Sequence, residues 1–315
     1  MIETHQLTRH YGSIKAVDGI SFKVAPGEVL GFLGPNGAGK STTMKMIAGF
    51  VEPTSGTATI FGHDVVADPV LCKARIGYLP EGAPSYGEMT PRSFLDFIAN
   101  IRQLSGATRT ARLEHVAEQL HLEPVLDQTI ETLSKGFKRR VGLAQAILHD
   151  PDILILDEPT DGLDPNQKYE VRQLIREMAE DKIIIVSTHI LEEVTAVCTR
   201  AIIIARGRLL ADETPAQLQA RAPGHNRIEI TPADPHSLTG LRAALSAMEG
   251  VARVAEHSGT LTVDPKDGAN LFNDVAALAV AQKHKISDMQ INYGRLDDVF
   301  REITLADDKV AEARS

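Results

Sequence analysis

The eight residues Gly34-Pro35-Asn36-Gly37-Ala38-Gly39-Lys40-Ser41 constrain the fold of this chain more than any other stretch, because they fit the pattern G-x-x-x-x-G-K-[ST]. They also sit where the pattern has a mechanism. Before them runs VLGFL, residues 29 to 33, a continuous apolar segment bounded by glycines that reads as a buried parallel strand; after them KSTTMKMIAGF, residues 40 to 50, reads as a helix. Glycines let the backbone wrap an anion closely, so that its N–H groups and the N-terminus of the following helix meet the negative charge. Lys40 would then reach the β- and γ-phosphates of a nucleotide, and the Ser41 hydroxyl would ligate Mg²⁺. A plain glycine-rich turn is the alternative, and the strand-to-helix context disfavours it.

A phosphate loop of this kind belongs to an α/β sheet, and the rest of the chain supplies one. DILIL at 152 to 156 and KIIIVS at 182 to 187 flank a helical stretch at 166 to 179, which is a βαβ alternation with ligands expected at the carboxyl ends of the strands. The N-terminal residues up to about 30 read as short strands with turns at Tyr11-Gly12 and Pro26-Gly27. Between Thr90 and Leu122 the pattern is helical, with Thr90 as cap, Pro91 at the first position and Phe94, Phe97, Ile98 and Ile101 spaced along one face.

Past Glu213-Thr214-Pro215 a second pattern begins. RIEIT alternates as a strand, 237 to 248 suits a helix, and 251 to 256 with 260 to 264 suit a strand pair. Leu271, Val275 and Leu278 mark a second helix, Met289, Ile291 and Tyr293 alternate, and Leu296, Val299, Phe300 and Ile303 fit a closing helix. This predicts a small α+β domain of βαββαβ type over residues 225–315, joined through Ala222-Pro223-Gly224-His225-Asn226 to a first domain over 1–220.

Composition excludes several classes. At 315 residues and 43% hydrophobic the chain can bury one large or two ordinary cores, and Gly 24 with Pro 16 is far from collagen-like or low-complexity usage. No apolar run approaches the roughly 18 residues of a membrane-spanning helix, and the start lacks a signal-peptide stretch, so a cytosolic location is expected. Cys72 and Cys198 stand alone, which supports neither a disulfide framework nor a zinc site. With 33 basic against 42 acidic residues, a net charge of −9, the chain lacks a nucleic-acid footprint, and no nucleic-acid partner is expected.

DILILDEP, residues 152 to 159, places two carboxylates after an apolar strand. Asp157 would hold Mg²⁺ through its water shell and Glu158 would polarise the attacking water as general base. A carboxylate pair there can also be a mere helix cap. Beside a phosphate loop the catalytic reading is preferred.

With these motifs in order, residues 1 to 215 resemble the ATP-binding subunits of ABC transporters, whose fold is a phosphate-loop ATPase domain with a helical subdomain, here about 88–150. The resemblance implies ATP bound by Tyr11, through stacking on adenine, and by Gly34, Pro35, Asn36, Gly37, Ala38, Gly39, Lys40, Ser41 and Thr42. It implies Mg²⁺ held by Ser41, Asp157 and Glu81, the last standing where the family usually has Gln, so that a negative charge is added. Leu133-Ser134-Lys135-Gly136 resembles the family signature, normally followed by Gln but here by Phe137. Ser134, Lys135 and Gly136, with Asp164 of the loop Thr160-Asp161-Gly162-Leu163-Asp164, would complete the ATP site of a second copy in trans. Ser187-Thr188-His189 resembles the switch region, where His189 would contact the γ-phosphate and tie it to Glu158.

GYLPEGAPSYGEMT followed by LSKGFKRRVGLAQAI is similar to exporter-type ATPases made as one chain with a single nucleotide site, including those of gliding-motility and copper-site-maturation systems. Leu296-Asp-Asp-Val-Phe300 is similar to the closing helix of their accessory domain. The implied protein is an ATPase catalysing with Lys40, Glu158 and His189, working as a head-to-tail homodimer and powering a separate membrane permease, for export, from the inner face of the membrane. A soluble ABC ATPase acting on a non-transport macromolecular partner is the other reading. The chain has neither the second nucleotide domain nor the long coiled coil usual there.

Overall fold

Leu154, Leu156, Ile184 and Val186 pack into one apolar cluster, while Ile153, Ile155, Ile183 and Ile185 point into another. These strands read as unbroken hydrophobic runs because both faces of their sheet are covered. The structure, a computed structural model, describes residues 1–83, 85–234 and 238–312. It divides into two compact units, Met1–Pro215 and the chain from Ala216 onward.

The first unit opens with β1 (Ile2–Tyr11), β2 (Ile14–Val24) and β3 (Val29–Leu33), followed by α1 (Lys40–Ile47), β4 (Ser55–Ile60), β5 (His63–Asp64), α2 (Pro69–Ala74) and β6 (Ile76–Leu79). Then come α3 (Pro91–Ile101), α4 (Gly106–Gln119) and α5 (Lys135–Ile147), β7 (Ile153–Asp157), α6 (Pro165–Met178), β8 (Ile183–Thr188), α7 (Leu191–Val197), β9 (Arg200–Ala205) and β10 (Arg208–Glu213). An antiparallel sheet has the order β2-β1-β4-β5, and a second has the order β10-β9-β3-β8-β7-β6, parallel except for β10. One core, with Phe22, Phe32 and Met44, joins the antiparallel sheet, α1 and one face of the parallel sheet; the other lies between its opposite face and α3 to α6.

Two helices differ from their sequence reading. α1 stops at Ile47 rather than running to Phe50, because Gly49 takes φ +70° and the Phe50 amide folds back on Lys45 O at 2.8 Å, closing the helix. α3 begins as expected, with Thr90 and Ser93 capping each other and Pro91 first. Its buried stripe, however, is Phe94, Leu95 and Ala99, while Phe97 and Ile101 are exposed.

In the second unit α8 (Pro215–Ala220), which begins on the last residue of the first, precedes β11 (Arg227–Pro232), α9 (Leu238–Ser246), β12 (Val251–His257), β13 (Thr260–Pro265), α10 (Phe272–Ala281), β14 (Ile286–Asn292) and α11 (Leu296–Glu312). Ser237, within the helix expected from sequence, lies outside the described residues. The antiparallel order β12-β13-β11-β14 inserts β13 between β11 and β12, the split βαβ arrangement. Ile228, Ile230, Leu261 and Val263 on one face pack with Leu241, Leu245 and Val275 of α9 and α10. Residues 222–226 are packed within this unit, Ala222 buried and Asn226 donating to Gly268 O at 2.6 Å.

Candidate nucleotide site

Strand register brings the chemistry to one edge. Leu33 pairs with Thr188, Asp157 with Ser187, and Leu79 with Leu156, so the segments after β3, β8, β7 and β6 leave the same carboxyl edge side by side. Those segments are the Gly34–Ser41 loop, His189, Glu158 and Pro80-Glu81.

Gly39 caps α1 with φ +104°, and a Cβ there would stand 2.4 Å from Ala16 O of β2. Only glycine meets both conditions. The Ala38 carbonyl accepts from Gly207 N at 2.9 Å, and Gly207 O accepts from Asp18 N at 2.8 Å, so β2 and the β9–β10 turn hold the loop from behind. Pro35, Asn36 and Gly37 are exposed, Gly34 and Ala38 are buried, and Ser41 and Thr42 are partly exposed at the start of α1. Lys40 is buried, its Nζ donating to Gly34 O at 2.7 Å and Pro35 O at 3.2 Å. Burial holds the Lys40 ammonium below the ordinary lysine range, against the pull of Glu158, Asp157 and Glu81.

Asp157 is buried, and Ser187 Oγ donates to its Oδ1. Its Oδ2 is buried without a hydrogen-bond partner among the described residues. A buried carboxylate oxygen left open among oxygen donors fits a hard divalent cation such as Mg²⁺. Glu158 follows with φ +50°, its amide donating to Ser187 Oγ at 3.1 Å, and His189 Nδ1 lies 3.1 Å from its Oε1. Glu81 is exposed at the end of β6. Tyr11, at the end of β1, is exposed, and the Arg9 guanidinium lies 4.7 Å from its ring centroid.

Ser134, Lys135 and Gly136 lie at the start of α5 and against α6. Ser134 caps α5 by accepting from Phe137 N at 3.3 Å, and a Cβ on Gly136 would meet the Gln167 side chain at 2.5 Å. Asp164 caps α6, its Oδ1 accepting from Asn166 N and Gln167 N at 2.9 and 3.0 Å. Among the described residues no hydrogen bond joins these four to the phosphate loop of the same chain. Phe137, which replaces the usual Gln, is partly buried against the core with Arg140 5.5 Å from its ring centroid.

A family profile described as "ABC transporter" matches residues 17–161. The Nod factor export ATP-binding protein I of Paraburkholderia xenovorans (strain LB400) is 38% identical over 238 residues, 75% of this chain and 78% of that protein. The chain belongs to the ABC transporter family. The linearmycin resistance ATP-binding protein LnrL of Bacillus subtilis (strain 168) is 32% identical over 311 residues, 96% of this chain and 98% of LnrL, so that likeness runs through the second unit as well. The probable multidrug ABC transporter ATP-binding protein YbhF of Escherichia coli (strain K12) is 37% identical, and the chain spans 40% of its length. A solved ATP-binding subunit of an ABC transporter superposes with TM-score 0.65 at 32% identity, covering 70% of this chain and 92% of that one. The chain is thus an ABC ATPase, an ATP-binding subunit with the phosphate-loop fold.

Two side chains that no motif flagged are built into this ABC site. Arg139 of α5, buried, donates through Nη2 to Glu158 O and, at 3.4 Å, to Asp157 O, and through Nη1 to Pro80 O at 3.4 Å. Glu193 of α7, also buried, accepts from Thr160 Oγ1 and, at 2.7 Å, from Thr188 Oγ1. A legible signal for Arg139 exists: it is three residues after Gly136 and four before Leu143, on a helix stripe whose other members are buried.

Proposed function

We propose that this ATPase binds ATP–Mg²⁺ on the Gly34–Ser41 loop, hydrolyses it with Glu158 as general base, and powers an exporter whose membrane half is a different chain. The contact between His189 and Glu158, on the edge that also carries Lys40 and Asp157, is the observation that carries this reading. Lys40 exchanges its bonds to Gly34 O and Pro35 O for phosphate oxygens, which a buried ammonium binds strongly. Asp157, Ser41 and Glu81 are the residues that would hold Mg²⁺, which when bound neutralises phosphate charge. Tyr11 offers its exposed ring to adenine. Glu158 takes a proton from the attacking water as the bond to the terminal phosphorus forms and ADP leaves, and His189 holds that carboxylate in place.

The chain carries each motif once, and among the described residues no hydrogen bond joins Ser134, Lys135, Gly136 or Asp164 to the phosphate loop of the same chain. Two copies arranged head to tail therefore complete two sites. The permease partner is supported by the names of the relatives and by a groove of about 1150 Å³ lined by Phe50, Tyr78, Tyr86, Phe94, Phe97 and Ile101, an apolar surface suited to a protein segment. Export rests on the Nod factor export and linearmycin resistance relatives, and a cytoplasmic position on the membrane's inner face follows from the permease. No helix among the described residues is long and apolar enough to cross a membrane. The second unit is read as the accessory domain of such exporters, a reading supported by LnrL, whose likeness covers 96% of the whole chain.

The Glu158→Gln protein tests the reading. Steady-state ATPase falls at least about 100-fold, while ATP binding survives and shifts the protein towards a dimer in size-exclusion chromatography. Near-normal turnover overturns it.

A further inference from the structure

From Arg139 onward α5 is stitched to β6 and the residue after it. β6 is the edge strand of the parallel sheet, and its outward carbonyls at Ile76, Tyr78 and Pro80 lack a neighbouring strand. Side chains of α5, and of His149 two residues past its end, meet all three: Arg139 donates to Pro80 O at 3.4 Å, Gln145 Nε2 to Tyr78 O at 2.7 Å, and His149 Nε2 lies 3.1 Å from Ile76 O. The seam has no slack. A Cβ on Gly77 would stand 2.1 Å from Ala146 O, and one on Gly142 would stand 2.8 Å from Leu79 Cδ1, so helix and strand are packed in direct contact.

Arg139 extends this seam into the catalytic strand end. Its guanidinium is buried, surrounded by the charges of Asp161, Asp157, Glu158 and Glu81, and its planar fork reaches carbonyls on both β6 and β7. One of those carbonyls belongs to Glu158, whose φ of +50° is a conformation a non-glycine residue keeps only when its surroundings hold it.

We propose that Arg139 is a positioning residue that locks the Glu158 peptide and the Pro80-Glu81 loop to the helix headed by Ser134. It does not touch the reacting atoms. It transmits the position of α5 to the general base, so that engagement of Ser134 with the nucleotide of a second copy is felt at the first copy's Glu158. This consequence rests on the head-to-tail reading given above.

The test compares wild type with Arg139→Gln, Arg139→Lys, Ser134→Ala and the Arg139→Gln/Ser134→Ala double variant, measuring kcat, KM and the affinity for a fluorescent ATP analogue. Arg139→Gln lowers kcat about 10- to 100-fold, the scale of a misplaced catalytic group, with affinity within about threefold of wild type. Arg139→Lys, which restores the charge but not the fork, recovers part of the loss. The double variant loses no more than the worse single variant, because the transmitting link is already broken. Additive losses, or an Arg139→Gln protein with wild-type kcat, overturn the proposal; so does loss of analogue affinity in both Arg139 variants, which marks Arg139 as purely structural. Wild-type turnover in Glu158→Gln identifies failure of the underlying reading instead.

Discussion

Nδ1 of His189 lies 3.1 Å from Oε1 of Glu158, and the Glu158 amide donates to Ser187 Oγ two residues before that histidine. The end of β8 therefore fixes both the backbone and the carboxylate of the residue that ends the acidic pair on β7. Replacing His189 by Ala frees the carboxylate while leaving the phosphate loop untouched. The expected result is a fall in kcat of about 10²-fold or more, with little change in ATP affinity by equilibrium titration. An equal loss of affinity would place His189 among the ground-state binding groups instead.

Lys40 separates function from stability. Its ammonium is desolvated in the folded chain and held by two loop carbonyls rather than by a carboxylate. Lys40→Met keeps the stem and removes a charge whose largest perturbation in the folded chain is the cost of desolvation. Thermal melts without nucleotide should show an unchanged or higher Tm. ATP affinity should drop about 10- to 100-fold, the loss of charge-assisted bonds worth about 1.5–3 kcal/mol.

His149 makes stability depend on pH. Burial, then the neighbouring Arg102, pushes its imidazole down to about 4 from the ordinary 6.5. Its Nε2 faces the Ile76 carbonyl, which only accepts, so the neutral ring carries its proton on that nitrogen and leaves the buried Nδ1 without a partner among the described residues. The folded-state value is depressed, so the unfolded chain binds the extra proton first. The stabilisation is complete above about pH 6.5 and fades as pH falls towards about 4, by roughly 3 kcal/mol in all. Urea melts between pH 7.5 and 5 should show this slope, and His149→Gln should flatten it. A wild-type protein equally stable at both pH values would contradict the assignment.

Much of the site is legible in the sequence because its motifs are local. The phosphate loop occupies eight consecutive residues, Asp157 and Glu158 are adjacent, and His189 ends a strand that reads plainly as apolar. Their convergence follows from one topological rule, that parallel strands deliver their carboxyl ends to one edge. The second unit was legible for the same reason, its strands and helices alternating at short range. What the sequence hides is held across long separations. Arg139 meets Pro80 across 59 positions, and nothing near Arg139 marks it as buried except its helical phase. The stripe Phe94, Phe97, Ile98 and Ile101 was spaced for a core, but a helix between a core and a groove has two apolar sides, and spacing does not say which is filled.

Glu193 ties together the two segments that carry the catalytic pair. Both of its carboxylate oxygens are used, one by Thr160, two residues after Glu158, and one by Thr188, one residue before His189. It is buried, and Thr188 Oγ1 in turn accepts from Ile190 N at 3.0 Å, so a single carboxylate fixes the segments that carry the general base and its histidine. Glu193→Ala strands two hydroxyls in the core, at a cost of about 2–4 kcal/mol. In a unit of this size that lowers Tm by roughly 4–16 °C. Glu193→Gln keeps one acceptor oxygen, and because a hydroxyl can rotate to accept from the amide, it should cost less than about 1 kcal/mol. If the clamp matters only for stability, kcat measured well below both melting temperatures will be the same in the two variants. If it sets the distance between Glu158 and His189, kcat will fall in the Ala variant and recover in the Gln variant, and the second outcome is the one the geometry requires.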